Sequence, residues 1–336
     1  MLERTNEGNK RETAAVLIGL ALLVALPFLA DAIGKGFYVT LFTRILILGL
    51  AAVSLDLILG YGGMVSFGHA AFVGIGAYVV GILSWHVFDG SPLMTWPVVI
   101  EGTENGFVVW PLAALMGALF ALAIGAISLR TTGISFIMIT LAFAQMLFYL
   151  AIGLRTYGGE DGIALYNKSG LGSSIDLFDK TTFYYVCLAI LVVFVWLCRR
   201  LTRSRFGMVV RGARINERRM RALGFSPYRH KLTAFVISGA GAGLSGALLA
   251  NAAEFVGPAY MSWQRSGELI VMVVLGGMGT LFGPVVGAAA FLLLEEGLAD
   301  LTEHWQIVLG PVLLFVVVFA RRGIWGWIAG PAREDR

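Results

Sequence analysis

The chain alternates long apolar segments with short polar ones, and this alternation limits its possible folds more than any other feature. Segments of about 17 to 25 apolar residues match the length that a helix needs to cross a bilayer core about 30 Å thick. We therefore predict an all-α polytopic membrane protein with about ten (8–11) transmembrane or broken helices. The predicted spans are residues 13–33, 38–59, 69–86, 108–129, 133–153, 182–199, 232–252, 267–282, 284–301 and 306–320.

The composition supports a membrane protein over a soluble one. Hydrophobic residues make up 58% of the chain and charged residues 14%, whereas a soluble domain carries about 25% charged residues. The 43 glycines suit membrane helices, because small residues let backbones approach closely. Cys187 and Cys198 lie in one apolar span without metal-binding spacing, so we expect buried thiols that pack as small apolar groups.

The distribution of basic residues predicts the orientation. Residues 199–231 contain eleven Lys and Arg but only one acid, Glu217. If this segment and both termini are cytoplasmic, 19 basic residues lie on the cytoplasmic side and five on the outer side. Arg265 is one of the outer five, and Arg44 lies within a span. Cytoplasmic loops carry such an excess. We expect one transmembrane domain, residues 1–336, with a retained first span and a cytoplasmic loop at 203–230. The basic excess then faces membrane lipid, not nucleic acid.

The centre of this loop has the end signals of a short helix at about 216–224. Asn216 is a good N-cap, Glu217 lies at the positive end of the helix dipole and Arg221 near the negative end. Gly224 suits the left-handed position after a helix, and Pro227 follows shortly after. A helix this short needs a surface to dock on. The alternative is a solvated basic loop against lipid headgroups.

Two glycine-rich stretches, residues 59–69 and 275–284, are atypical of plain spanning helices. Irregular backbone inside a membrane is tolerated where protein or a water-filled cavity satisfies its polar groups, and transporter sites often use such interrupted helices. The alternative is that both are ordinary turns between spans. The glycines predicted to break the helices are Gly62, Gly63, Gly68, Gly276, Gly277, Gly279 and Gly283.

Polar residues within apolar spans are candidates for a translocation path, because charges at bilayer depth are costly. We predict that Ser66, His69, Gln145 and Glu268 line such a path. Asp56 lies about one turn from a predicted helix end, where it could instead reach the headgroups. The four histidines are scattered, and neither a Walker A sequence nor a zinc-protease motif occurs. We therefore expect no catalytic, metal or cofactor site in this chain.

Several ordered segments resemble one protein family. They are GGMVSFGHAAF at 62–72, RTTGISF at 130–136, TLAFAQM at 140–146, GGEDG at 158–162, SRFG at 204–207, Asn216-Glu217, ALG at 222–224, and MVVLGG at 272–277 with Gly283-Pro284. Over residues 40–300 the chain resembles the M-type permease subunit of the branched-chain amino acid ABC importers. Permeases for urea and short amides are close relatives of that family.

The resemblance implies a type II-like importer permease in the bacterial inner membrane. Its expected partners are a second, related permease, two cytoplasmic ATPase subunits that bind ATP and Mg²⁺, and an external substrate-binding protein. The short helix would be the coupling helix that enters a cleft of an ATPase, with contact residues Asn216, Glu217, Arg218, Arg221, Leu223 and Gly224. Family members usually carry a more apolar helix after Asn-Glu, so the arginines leave the identity of the ATPase open.

Two other classes remain as alternatives. A proton-coupled secondary transporter would need a buried carboxylate relay and would work without partner chains. A polytopic membrane enzyme would gather His, Asp or Glu at one membrane face, which this sequence does not do. Dependence of transport on ATPase subunits separates the importer from the first class, and turnover by the single chain would indicate the second.

Overall fold

The computed structural model describes residues 2–32, 36–92, 101–172, 177–299, 307–308, 310–311 and 323–329, and its secondary structure is almost entirely helical. The helices are α1 (Leu2–Ala32), α2 (Phe37–Leu59), α3 (His69–Asp89), α4 (Gly106–Ser128), α5 (Ile134–Gly153), α6 (Lys180–Arg203), α7 (Arg205–Ile215), α8 (Glu217–Ala222), α9 (Pro227–Ala253), α10 (Trp263–Gly276), α11 (Gly283–Ala299) and α12 (Gly323–Ala329).

Six of these helices, α2 to α6 and α9, are long and apolar enough to cross a membrane. The expectation of a helical polytopic protein is thereby confirmed. α10 and α11 have 14 and 17 residues, or about 21 and 26 Å at 1.5 Å per residue, so they are shorter than a full crossing. The predicted span 306–320 lies largely outside the described residues, and the orientation of the termini stays a prediction.

The predicted span 267–282 is wrong at both ends. α10 begins earlier because the Ser262 hydroxyl caps it, accepting a hydrogen bond from the backbone N–H of Arg265 at 3.4 Å. It ends at Gly276 because Gly277 has a φ of 120°, which a helix cannot contain. Arg265, counted above in an outer loop, therefore lies in the first turn of a helix.

α9 lies at the centre of the bundle, and α2 and α3 each pack against it. Almost all of α2 is buried, from Ile45 to Leu59 without a gap. A helix that is buried on all faces carries apolar residues on all of them instead of along one stripe, and this explains why α2 is uniformly apolar. These three helices hold the elements of the candidate site in place.

Glycines close the seams between the central helices. A Cβ at Gly76 in α3 would overlap the Gly243 carbonyl of α9, and one at Gly117 in α4 would overlap the Gly239 carbonyl of α9. Such contacts bring backbones together as small residues do in membrane bundles. Gly76, Gly117, Gly239 and Gly243 therefore join helices within this chain.

α4, α5 and α6 flank the centre and keep many apolar side chains on the outside, such as Ile134, Tyr149 and Trp196. Outward-facing apolar surface is expected where a helix meets lipid or another membrane subunit. Cys187 and Cys198 of α6 are free and buried, as expected.

α10 and α11 form a hairpin that packs against α2. A two-residue antiparallel pair joins β1 (Ile163–Ala164) to β2 (Phe255–Val256) on the loop before α10. We call the end of the bundle that holds residues 203–230 the basic end, and the opposite end, where this pair lies, the far end.

Candidate functional site

A short helix, α8, lies in the middle of the basic loop, as the sequence predicts. The side-chain oxygen of Asn216 accepts a hydrogen bond from the backbone N–H of Arg219 at 2.9 Å. Gly224 has a φ of 86°, the left-handed conformation expected after a helix end. Both predicted end signals are confirmed, and the helix itself spans Glu217–Ala222.

Glu217 fixes α8 to the bundle. Its carboxylate accepts hydrogen bonds from Arg221 at 2.5 Å, within α8, and from Lys231 at 2.7 Å, on α9. Partial burial acts to raise the pKa of Glu217, but the bonds from Lys231 and Arg221 outweigh it, so this pKa lies below its ordinary value. The carboxylate therefore stays ionised and joins the two helices.

The surface around α8 carries exposed apolar side chains among the arginines. Ile215 is 83% exposed and Leu223 is 65% exposed, and Phe225 is exposed as well. Arg218 and Arg221 are exposed beside them. Large apolar residues in a solvent-facing loop are typical of a surface that another protein covers. Leu223 was predicted from the sequence, whereas Ile215 and Phe225 were not, although their position in a polar loop was an available signal.

The first glycine-rich stretch forms a tight turn followed by an irregular segment. After α2 ends, the backbone N–H of Gly63 bonds to the Leu59 carbonyl at 3.1 Å, and that of Met64 bonds to the Ile58 carbonyl at 2.9 Å. Further along, the Phe67 N–H bonds to the Thr140 hydroxyl at 3.3 Å. Protein groups thus satisfy this backbone, as irregular structure in a membrane requires.

Protein groups also satisfy the backbone N–H groups at the start of α3. The Gly68 N–H bonds to the Ser66 hydroxyl at 3.3 Å, and the Ala70 N–H bonds to the Ser266 hydroxyl of α10 at 3.1 Å. A Cβ at Gly68 would overlap the carbonyl oxygen of Thr140, so α5 packs directly on this segment. The first stretch is therefore an interrupted helix rather than a plain surface turn.

The second glycine-rich stretch is a compact turn between α10 and α11. A Cβ at Gly276 would overlap the carbonyl of Gly283, and one at Gly287 would overlap the carbonyl of Met272. The Thr280 hydroxyl donates to the Gly277 carbonyl at 2.7 Å and closes the turn. The glycines of this stretch therefore let the backbones of α10 and α11 come into direct contact.

The two stretches meet at Asp56, which lies fully buried in α2 instead of reaching toward the headgroups. Its carboxylate accepts a hydrogen bond from the Gly279 N–H at 2.8 Å. The guanidinium of Arg214, in α7, donates to the Gly60 carbonyl next to it. A continuous set of contacts therefore connects the basic loop with the α10–α11 turn.

Ser66 and His69, two of the residues predicted to line a path, are fully buried, Ser66 in the segment between α2 and α3 and His69 at the start of α3. The His69 Nε2 is hydrogen-bonded to the Ser54 hydroxyl at 2.8 Å, and its ring packs edge-on against Phe72. Neither residue is part of the cavity described below. Gln145 is half-buried on α5, also outside that cavity.

Glu268, the fourth of these residues, lies in the wall of a cavity of about 360 Å³. The wall is built by α2, α3, α9, α10, α11 and the loop before α10. Its apolar part includes Leu41, Leu48, Val73, Leu249, Leu269 and Met272. The cavity was not predicted as such, because its walls come from distant parts of the chain.

Four charged side chains also line this cavity: Arg44, Arg265, Glu268 and Glu296. Arg265 donates to Glu268 at 2.7 Å, and Arg44 lies 3.7 Å from Glu295, next to the cavity. Pairing offsets the cost of placing charge among apolar helices. No group of three His, Cys, Asp or Glu residues suited to a metal ion occurs in the described part of the chain.

Comparison with known proteins identifies the family. The model of the family described as "Branched-chain amino acid transport system / permease component" matches residues 37–317. The chain is 30% identical over 328 residues to the high-affinity branched-chain amino acid transport system permease protein LivM of Escherichia coli (strain K12), with 91% of this chain and 73% of the relative covered.

Two further relatives carry the same kind of name. LivM of Salmonella typhimurium is 29% identical over the same shares of both chains. A probable branched-chain amino acid transport permease protein LivM of Methanocaldococcus jannaschii is 23% identical, with 80% of this chain and 85% of the relative covered. No solved structure matches the chain. With its six apolar helices, the chain is a multi-pass inner membrane protein, and it belongs to the branched-chain amino acid ABC transport permease family, whose members are transport subunits rather than enzymes.

Proposed function

We propose that this chain is the permease subunit of an ATP-driven importer for branched-chain amino acids. The observation that carries the proposal is the 30% identity to a permease of that name over 91% of the chain. In this proposal the chain forms the translocation pathway with a second, related permease. Two cytoplasmic ATPase subunits bind and hydrolyse ATP with Mg²⁺, and an external binding protein delivers the substrate.

α8 is the proposed contact with an ATPase subunit. It is joined to α9 by the Glu217–Lys231 ion pair, so a movement of α8 is passed to α9. The exposed Leu223 and Arg218 supply an apolar and a basic contact. These features support docking, because hot spots of protein interfaces combine an apolar anchor with Arg.

The basic end is proposed to face the cytoplasm, with both termini on that side. The excess of Lys and Arg in residues 199–231 supports this. The position of α12 near the C-terminus agrees, because Trp325 packs on Phe282 in the α10–α11 turn, at 5.7 Å between ring centroids. The far end then faces the binding protein.

The transport step follows from these contacts. Closure of the ATPases on ATP shifts α8 and α7. The movement passes from Arg214 to Gly60 and from Asp56 to Gly279, the turn of the hairpin that holds part of the cavity wall. A rigid-body shift of this hairpin changes the access to the cavity, as in other transporters that rock one bundle against another.

Urea or short amides are the alternative substrates, since permeases for them resemble this chain. A secondary transporter driven by protons is the alternative of another class. The size of the cavity and its four charged side chains favour a larger, charged ligand over urea. Competition for uptake between labelled L-leucine and unlabelled urea distinguishes these substrates.

The test is uptake of labelled L-leucine by proteoliposomes that contain both permeases, both ATPases and the binding protein. ATP is supplied inside the liposomes in one sample and outside in another. We expect uptake only when ATP is on the ATPase side, and none when this chain is omitted. A proton gradient imposed without ATP is the control for the secondary transporter. Uptake driven by that gradient, with the ATPases absent, would contradict the proposal.

A further inference from the structure

The cavity between α2, α3, α9, α10 and α11 places guanidinium and carboxylate groups on one wall. Charged groups among membrane helices are costly and are found where a function needs them. Two ion pairs involve residues of this wall. Arg265–Glu268 connects successive turns of α10, and Arg44 pairs with Glu295 of α11, next to the cavity. The Arg265–Glu268 pair does not join two helices, because both residues lie in α10.

Both pairs remain partly accessible. The side chains of Arg44 and Glu295 are 38% and 19% exposed, and those of Arg265 and Glu268 are 39% and 34% exposed. Partial access by water weakens the attraction within each pair. Charged groups that face a cavity and have unused hydrogen-bonding capacity can exchange their ion-pair partner for a ligand.

The charge pattern suits a ligand that carries both signs. Arginine presents a planar fork that matches a carboxylate, so Arg44 and Arg265 suit an anionic group. Glu268 and Glu296 suit an ammonium group beside it. A ligand with one charge of each sign enters without leaving either pair uncompensated, whereas a ligand of single charge leaves one charged group without a partner.

Apart from Thr40 and Tyr260, the rest of the wall is apolar. Leu249, Leu269 and Met272 face the same space as the ion pairs. The volume of 360 Å³ lies at the small end of the range of about 300–1,000 Å³ for ligand pockets. It therefore fits a molecule with few heavy atoms and an apolar branch.

We propose that this cavity is a binding site for a zwitterionic α-amino acid with an apolar side chain. The α-carboxylate binds Arg265 and Arg44, the α-ammonium binds Glu268 and Glu296, and the side chain lies against Leu249, Leu269 and Met272. The inference rests on the proposed transport function, and its test is chosen so that the two can fail separately.

The test measures access to the cavity in the assembled complex, in nanodiscs without ATP. Ala252, in the cavity wall, is replaced in the Ala252→Cys variant, in a background with Cys187→Ala and Cys198→Ala. The rate of its modification by a small thiol reagent is followed with and without L-leucine. We expect saturating leucine to slow the reaction about fivefold or more.

Ligand analogues examine the two charges without altering the protein further. 4-Methylpentanoate lacks the ammonium group and 3-methylbutylamine lacks the carboxylate. At the same concentration each should slow the reaction less than about twofold, because one charged group of the wall stays without a partner. Phosphoethanolamine serves as the probe for a lipid headgroup.

Variants and controls complete the design. Glu268→Gln and Arg265→Gln should each abolish the protection by leucine and lower ATP-driven uptake about tenfold or more. Glu254→Gln is the matched control, because Glu254 pairs with Lys168 and is not part of the wall. Modification of an Ala164→Cys variant, exposed in β1 at the far end, should not respond to leucine.

The outcomes separate the two proposals. The site is wrong if leucine does not protect the Ala252→Cys variant and Glu268→Gln shows normal uptake. If the unaltered complex still takes up leucine, the transport function stands. Protection by phosphoethanolamine but not by leucine also overturns the site, in favour of a lipid headgroup. Protection by leucine that fails with both analogues supports the site, even if ATP-driven uptake proves absent and the transport function is wrong.

Discussion

The cavity and helix α8 are built in opposite ways. α8 consists of six consecutive residues whose ends are set by Asn216 and Gly224, and it is exposed on most of its surface. The cavity wall is assembled from side chains of five helices and of the loop before α10, from Phe37 to Glu296. A change in α8 should therefore act locally, whereas a change in the packing around the cavity should act on the whole fold.

The two regions are nevertheless in contact through few residues. Arg214 lies two positions before the cap of α8 and bonds to Gly60. Asp56 bonds to Gly279 in the hairpin that carries Glu268. Substitution of Asp56 tests whether these contacts couple the two regions energetically.

The largest effect is expected at the seam that supports the cavity. Gly276→Val places a Cβ against the carbonyl of Gly283, where the backbones of α10 and α11 touch. We expect a loss of about 3 kcal/mol or more, the upper end for overpacking, measured as a lower thermal midpoint of the purified complex. Gly267→Ala on the same helix is the control, because nothing lies within 4 Å of its Cβ position. Equal midpoints for both variants would contradict the packing described.

An intermediate effect is expected at the connection between the two regions. Asp56→Ala leaves the buried N–H of Gly279 without its acceptor, which costs about 1–3 kcal/mol. We expect ATP-driven leucine uptake to fall about tenfold, the equivalent of 1.4 kcal/mol, while the complex still assembles. Asp56→Asn keeps a side-chain oxygen and should retain most of the uptake. If Asp56→Ala transports as well as Asp56→Asn, the contact has no part in transport.

The smallest effect is expected at the cap of α8. Asn216→Ala removes the acceptor for the Arg219 N–H, which costs about 1 kcal/mol of helix stability. We expect the affinity for the ATPase subunits to fall about fivefold, measured by titration of the reconstituted permease pair, with leucine protection of the cavity unchanged. Asn216→Asp keeps the cap and serves as control. A matching loss in both variants would show that the cap is not the cause.

The sequence predicts α8 better than the cavity, for a physical reason. The cap, the dipole charges and the left-handed glycine are all local signals, and they fall within nine residues of one another. Arg44 and Glu295 come together only because α2 and α11 pack side by side, which no local pattern reveals. The apolar spans were predictable for the same local reason as α8.

Ser66 and His69 show the limit of the argument from polarity. A polar side chain in an apolar span can face a path or close the backbone of an interrupted helix, and the sequence is the same in both cases. The structure places Ser66 on the Gly68 N–H and His69 on Ser54. That they line a path stays a prediction, and their hydrogen bonds account for their polarity without one.

The contact of α8 with an ATPase subunit is the central claim, and photocrosslinking tests it most directly. A benzoylphenylalanine replaces Leu223 beside α8 or, as the control, Tyr166 at the far end, both of them exposed. The purified complex is irradiated while it hydrolyses ATP. The account predicts a covalent adduct between this chain and an ATPase subunit from position 223 and none from position 166. An active complex that yields no ATPase adduct from position 223 would contradict it.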